Sequence, residues 1–239
     1  MIDAVWIVRP GDHNEELRYS IRSVETNLPV RSVSVAGHRP AWLNCHHIYN
    51  GQREAPVINA LDNLKAALVC TPLTERIAVF NDDFFCMGPL ERIPLLHRGP
   101  LAMVTTIARI ERGDTSVRTI ALQDTLDILR RIGVPSPFCF DLHTPIVVDR
   151  AELAETLDII AAYTAGWDAE RRARILWKTV HANLWNTRSM YSPDVKVRGL
   201  EPVDPWPSPF LSTVDLSFHY GAVGNHIRTQ FPTPSRYEE

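Results

Sequence analysis

The stretch Arg76–Phe85 reads RIAVFNDDFF. Apolar residues from Ile77 to Phe80 run without a break into Asn81, Asp82 and Asp83, and two phenylalanines follow. A short uninterrupted apolar run bounded by turn-forming residues predicts a strand buried on both faces, as in a parallel sheet. Two adjacent carboxylates at the end of such a strand are unfavourable unless something positive neutralises them. In an open parallel sheet, ligands bind beyond the carboxyl ends of the strands. A divalent cation such as Mg²⁺ or Mn²⁺ takes oxygen ligands there and bridges to a phosphate. The apolar flanks imply that the two acids are held in place rather than opening a solvated turn.

Working back towards the N-terminus, Val57–Val69 carries Ile58, Leu61, Leu64 and Leu68 on one helical face. Val30–Ala36 alternates apolar and polar residues and predicts a strand. Asn14–Asn27 sets Leu17, Ile21 and Val24 at helical spacing, with Glu15 and Glu16 favourable to the N-terminal dipole. Ala4–Val8 (AVWIV) is another buried strand, ending at Arg9-Pro10-Gly11-Asp12. Strand, helix, strand, helix, strand with short connections predicts an α/β fold with a single open, mostly parallel sheet flanked by helices. Further on, Leu101–Ile107 reads as a strand, and Thr119–Ile132 as a helix stopped by Gly133. Phe138–Leu142 and Ile146–Val148 bracket His143-Thr144-Pro145. Helices are expected over Ala151–Tyr163 and from Ala169 to Leu184, then a proline-rich loop over Glu201–Pro209 that includes Trp206.

Composition bounds the function. The 239 residues carry 25 Lys+Arg against 28 Asp+Glu, a net charge of −3, so a dedicated polyanion binder is disfavoured. A chain of this length buries roughly 70–75% of its unfolded surface and needs no disulfide or structural metal to fold. Cys45, Cys70, Cys86 and Cys139 are widely spaced and read as thiols rather than as a disulfide framework or zinc site. The start of the chain lacks the pattern of a secretory leader, and no stretch is long and apolar enough to span a membrane. The expectation is a cytoplasmic protein.

Three further groups could carry chemistry. Arg9, Asp12, Asn14, Glu16 and Arg22 cluster at the first strand-to-helix junction, which suits an anionic ligand, and Arg9 could grip a diphosphate with its forked guanidinium. His143, beside a proline, could ligate metal, contact phosphate or act as a base. Lys196 and Asp215 offer a late acid–base set, which alone would read as surface charge. No Walker A or GxGxxG motif is present.

With these residues in view, Val8–Pro29 (VRPGDHNEELRYSIRSVETNLP) resembles a group of phage and prophage proteins described as glycosyltransferases. That group is distantly similar to the Stealth proteins, which include capsular-polysaccharide phosphotransferases. NEELRYSIRSVE (Asn14–Glu25) and VFNDDFF (Val79–Phe85) carry the likeness, and HRGPL (His97–Leu101), LHTP (Leu142–Pro145), SPDVKV (Ser192–Val197) and the ending from Phe210 extend it over nearly the whole chain.

The resemblance implies one GT-A-like domain, with residues 1–100 as the nucleotide-binding half and 101–239 as the acceptor side and C-terminal elaboration. It implies a nucleotide-sugar donor, UDP- or GDP-linked, with Asp82 and Asp83 holding Mn²⁺ or Mg²⁺. Arg9, Asn14, Glu16, Arg22, Asn59 and Asn81 would bind the donor, and His143, Lys196 and Asp215 would be catalytic. The expected reaction is transfer of a sugar to an acceptor hydroxyl. The alternatives are transfer of sugar 1-phosphate and a non-catalytic nucleotide- or carbohydrate-binding module. Thr179–Asn183 stands where the Stealth pattern has an arginine-rich motif, which favours glycosyl transfer. The acceptor could be a glycan, a protein or a modified DNA base. For the last, Arg109, Arg112, Arg118, Arg130 and Arg131 could supply a local basic groove, although a solvated loop and helix face is the preferred reading.

Overall fold

A computed structural model of the chain describes residues 1–11, 13–52, 55–186, 188–202 and 208–239. Asp12 and much of the expected proline-rich loop, Trp206 included, lie outside the described residues.

The N-terminal order is β1 (Ile2–Val8), α1 (Glu15–Asn27), β2 (Val30–Gly37), β3 (His46–Ile48), α2 (Pro56–Val69), β4 (Arg76–Asn81) and β5 (Phe84–Cys86). Next come β6 (Leu96–His97), α3 (Leu101–Arg112), α4 (Val117–Ile132), β7 (Ile146–Asp149) and α5 (Arg150–Tyr163). The chain continues with α6 (Ala169–Ala173), α7 (Trp177–Trp185), β8 (Met190–Tyr191) and β9 (Lys196–Val197). It closes with β10 (Phe210–Thr213), α8 (Asp215–Tyr220) and α9 (Ala222–Gln230).

The fold is α/β. The main sheet is mixed and has the order β3-β2-β1-β4-β7, in which β3 with β2, β2 with β1 and β1 with β4 are parallel pairs. The expected single sheet is thus joined by a three-stranded sheet, β5-β10-β9, and a two-stranded one, β6-β8. Central β1 is buried on both faces from Asp3 to Trp6, which is why Ala4–Val8 is a continuous apolar run rather than an alternation, and the buried Asp3 is held by Arg31, Ser32 and Thr74. Trp6 stacks on its register partner Phe80 at 4.7 Å, and its indole N–H donates to Ser20 of α1 at 2.8 Å. Ser20 passes a hydrogen bond to the Phe84 carbonyl, so α1, β1 and β5 are tied together through a buried polar chain.

Two compact units divide the chain. The first takes residues 1–93, 143–148 and 195–239, and the second takes residues 94–142 and 149–194. The C-terminal segment therefore belongs with the first unit, which differs from the division expected at residue 100. In the first unit, Phe85, Val197, Leu211, Phe218, Val223, Ile227 and Phe231 form one apolar cluster over the β5-β10-β9 sheet. The second unit is mainly helical.

Three local readings are settled by the structure. The run from Leu101 is a helix, not a strand: Leu101, Val104 and Ala108 are buried at helical spacing, and Thr105 and Thr106 satisfy their hydroxyls on carbonyls four residues back. The helix expected from Ala169 to Leu184 is two, because α6 ends at Ala173 and α7 begins only at Trp177. Phe138–Leu142 holds no strand beyond a single bridge from Phe138 to Pro100.

Among the described residues, no helix is long and apolar enough to cross a membrane, and none of the four cysteines forms a disulfide.

Candidate functional site

The parallel strands β1 and β4 end side by side, with Ile7 opposite Asn81. Arg9 follows the first and Asp82 and Asp83 follow the second, all at the carboxyl edge of the sheet. Two segments distant in sequence complete the cluster. β9 brings Lys196 and β10 brings Ser212 and Thr213, with Asp215 opening α8.

Arg9 stands over the acids: its Nη2 lies 2.6 Å from Asp215 Oδ1 and 3.8 Å from Glu16 Oε2, and its Nε lies 3.5 Å from Asp82 Oδ2. The Arg9 side chain is 61% exposed, whereas those of Asp82 and Asp83 are almost buried. Lys196 Nζ pairs with Asp83 Oδ2, and Ser212 Oγ donates to the same oxygen at 2.6 Å. Thr213 Oγ1 donates to Glu16 Oε1 at 2.6 Å.

Crowding of the carboxylates governs their protonation. Burial pushes Glu16 up to about 8; the Thr213 hydrogen bond opposes this, and the nearby charges of Asp83, Asp82 and Asp215 reinforce it. Burial and the adjacent Asp83 push Asp82 up to about 6, against the pull of Arg9 and Lys196. Asp215 is partly desolvated, which works against ionisation, but its bond to Arg9 and a hydrogen bond shared with Glu16 hold it below the usual carboxylate range. At neutral pH the shared proton therefore sits on Glu16, and Asp215 is ionised.

Asn14 introduces α1 in the left-handed conformation (φ 42°), the single non-glycine residue with positive φ among those described. Its Nδ2 donates to the Arg9 carbonyl at 3.3 Å, but its Oδ1 is buried with no hydrogen-bond partner. A buried acceptor left open beside Arg9 is a position that a ligand's N–H or O–H would satisfy. Among the described residues, no group of three or more His, Cys, Asp or Glu side chains is arranged to hold a metal ion by itself. The donor chemistry nonetheless fits a divalent cation. Mg²⁺ is usually held by one or two carboxylates together with substrate phosphates. Among the described residues, the cations paired with Asp82, Asp83 and Asp215 are Arg9 and Lys196.

Arg9, Asn14, Glu16, Asp82, Asp83, Lys196 and Asp215 thus come together, and Asn81 ends β4 beside them with its side chain towards the surface. Asn59 is buried in α2, and His143 is half-buried on the segment leading into β7, the neighbour of β4. Arg22 is a correction. It is buried and forms a two-pronged pair with Glu238, at 2.6 and 2.7 Å, with Nη1 on the carbonyls of Phe231 and Pro232. Its partner lies 216 positions along the chain, which no local motif announces. Ser212 and Thr213 are the residues that sequence reasoning passed over. Their signal was the FLSTVD segment, of which only Asp215 stood out.

The second unit has a cleft of about 720 Å³ lined by α3, α4 and α6 residues, among them Arg109, Val117, Ile120, Arg171 and Arg174. Its arginines are engaged: Arg109 with Asp114 at 2.5 Å, Arg171 with Asp124 at 2.8 Å, and Arg174 with Glu170. Of the five arginines considered for a basic groove, Arg118 pairs with Asp141 and Arg131 lies over the Tyr163 ring at 4.9 Å. Arg112 and Arg130 occupy last turns of α3 and α4, where the helix dipole favours cations.

Compared with known proteins, the sequence matches no family model and no curated protein.

Proposed function

We propose that the chain is a metal-dependent glycosyltransferase that moves a sugar from a nucleotide-sugar to an acceptor hydroxyl on a GT-A-like scaffold. One observation carries this reading: Arg9 and Lys196 meet Glu16, Asp82, Asp83 and Asp215 at the carboxyl edge of the parallel strands, beside the open acceptor of Asn14. The likeness to phage glycosyltransferases and Stealth proteins supports the same substrate class.

Asp82 and Asp83 are the residues that would hold Mg²⁺ or Mn²⁺, which when bound neutralises charge on the donor diphosphate. Arg9, exposed and forked, turns from Asp215 towards a diphosphate oxygen. Lys196 and the Ser212 hydroxyl hold the Asp83 carboxylate in place. Asn14 accepts from a donor hydroxyl or base N–H. Asp215, ionised and mostly exposed, takes the proton of the acceptor hydroxyl as its oxygen bonds to the anomeric carbon. The bond from that carbon to the β-phosphate oxygen breaks, and the nucleoside diphosphate leaves with the electron pair. His143 is the alternative base.

The test is incubation with UDP- and GDP-sugars and Mn²⁺, reading the released nucleotide. Nucleoside diphosphate supports glycosyl transfer, and nucleoside monophosphate would assign sugar-phosphate transfer instead. Donor binding with no release under any metal would leave a binding module. Donor use that persists in the Asp82→Ala/Asp83→Ala double variant would remove the metal role.

A further inference from the structure

The HRGPL segment of the sequence has no part in the site above, yet its histidine is the centre of an aromatic group. His97, in the short strand β6, has the ring of Phe138 at 4.4 Å, that of Phe140 at 6.0 Å and that of Tyr191 at 6.1 Å. All four residues belong to the second unit. Phe138 is 41% exposed and Tyr191 is 68% exposed, so two of these rings face water at large cost in unburied apolar area.

The backbone under them is firmly tied. β6 pairs with β8, which puts Leu96 opposite Met190 and His97 opposite Tyr191, and the next amide, Ser192 N–H, donates to the His97 carbonyl at 2.9 Å. Asn183 brackets Phe138 from both sides, accepting from its N–H at 3.0 Å and donating to its carbonyl at 2.8 Å. Arg98 N–H and Cys139 N–H complete the join between the two segments. Exposed rings on so constrained a backbone make a preformed surface, which lowers the ordering cost of binding.

The polar groups fix the chemistry further. Gly99 N–H donates to His97 Nδ1 at 2.9 Å, so Nδ1 is the unprotonated nitrogen and the remaining ring N–H, on Nε2, is a donor. Burial holds His97 below its ordinary value, so the ring is neutral at pH 7. A hydroxyl on Tyr191 adds a donor and acceptor at the exposed edge. The rings of Phe138 and Tyr191 are inclined to His97 by 40° and 69°, so neither forms a parallel slot with His97 that would sandwich a flat base. A pyranose suits such a surface better: it has an apolar C–H face for an open ring and a rim of hydroxyls for neutral donors and acceptors.

We infer that His97, Phe138 and Tyr191 form a carbohydrate-binding platform, and that the acceptor of this chain is a glycan. This deepens the transferase reading and rests on it for the word acceptor, while saccharide binding at the platform stands or falls alone. The experiment titrates the full chain, without donor or metal, with neutral gluco-, galacto- and N-acetylglucosamine oligosaccharides, followed by saturation-transfer NMR on the sugar protons. At least one series binds, with saturation strongest on the C–H protons of one ring face. Tyr191→Ala and Phe138→Ala each weaken that binding by about tenfold, as expected for loss of one stacked ring. Tyr191 is mostly exposed, so its truncation leaves the fold intact and keeps the test valid if Phe138→Ala unfolds. No binding by any series, binding unchanged in Tyr191→Ala, or nucleosides displacing the sugar from the platform each overturn the inference. Glycan binding without donor consumption would uphold the platform and refute the transferase reading. Donor consumption without glycan binding would do the reverse.

Discussion

Replacing Arg22 with alanine separates a structural role from a donor-binding one. Its side chain is 9% exposed and that of Glu238 8%, and two short bonds of 2.6 and 2.7 Å join them. The guanidinium also lies over the Tyr19 ring at 4.7 Å and reaches two carbonyls near the end of α9. Removing it leaves Glu238 buried with the Ser235 N–H and Arg18 as its remaining partners. Removing one partner of a buried pair costs about 3–5 kcal/mol, because the other charge stays in a low-dielectric site. For a chain of this size that lowers the melting temperature by roughly 6–20 °C. Thermal unfolding followed by circular dichroism reads this directly. Calorimetry at low temperature should find donor affinity within about twofold of the parent, since Arg22 points away from the acids at the sheet edge. Arg22→Met combined with Glu238→Leu recovers much of the loss, because apolar replacements of both partners remove the desolvation penalty as well as the attraction. Burial works against Glu238 ionisation, but the Arg22 pair, the Ser235 N–H and Arg18 together outweigh it and lower its value, so the clamp is present above the ordinary glutamate range and is lost as pH falls below it. A change of less than 2 °C in Arg22→Ala, or a tenfold loss of donor affinity at unchanged melting temperature, would refute the clamp.

Glu16 should make stability fall as pH rises. Its folded value of about 8 lies above the ordinary 4.5, so the native state holds a proton that the unfolded chain has released, and the advantage is complete below 4.5 and gone above 8. Urea unfolding at pH 5 and pH 8 should differ by on the order of 3 kcal/mol from this source, and Glu16→Gln should flatten that difference; an unchanged slope in the variant would sink the assignment. Gly37→Ala should be strongly destabilising, because φ there is +104° and an added Cβ would meet Asn63 Nδ2 at 2.3 Å and the Val8 carbonyl at 2.5 Å. The backbone term alone is about 1–3 kcal/mol, so a melting temperature within error of the parent would contradict the geometry.

Much of the first unit was legible because its elements are locally consistent. β1 and β4 each hold an unbroken apolar run, Ala4–Val8 and Ile77–Phe80, and α1 and α2 place apolar residues on one face. α3 was misread because LAMVTTI is rich in apolar and β-branched residues, which suit a strand. Its threonines found hydrogen bonds within the helix, and burial of Leu101, Val104 and Ala108 decided the matter. Asp82 and Asp83 announced themselves as charges between apolar flanks. Lys196 and Asp215 read alone as surface charge, since their meaning depends on β9 and β10 arriving at the ends of strands more than a hundred residues away. Ser212 and Thr213 were invisible for the same reason.

The two cations of the cluster divide the work through their burial. Lys196 is 15% exposed and sits on an acid whose side chain is 10% exposed, so the pair exists to make a buried carboxylate tolerable. Moving Lys196 away would leave that carboxylate with the Ser212 hydroxyl but without its paired cation. Arg9 is different: its one short bond is to Asp215, which is 65% exposed, and its approaches to Asp82 and Glu16 are 3.5 and 3.8 Å. Exposed ion pairs contribute little to stability. The guanidinium can therefore leave Asp215 for a better-matched anion without loosening the fold, and doing so frees Asp215 to accept a proton. On the proposed transferase reading, a ligand that draws Arg9 away would leave Asp82 and Asp83 with Lys196 as the nearer counter-charge, which would favour arrival of a divalent cation with the same anion. On that reading, anion binding, base release and cation capture would then be one event, set by which of two cations the fold leaves in water.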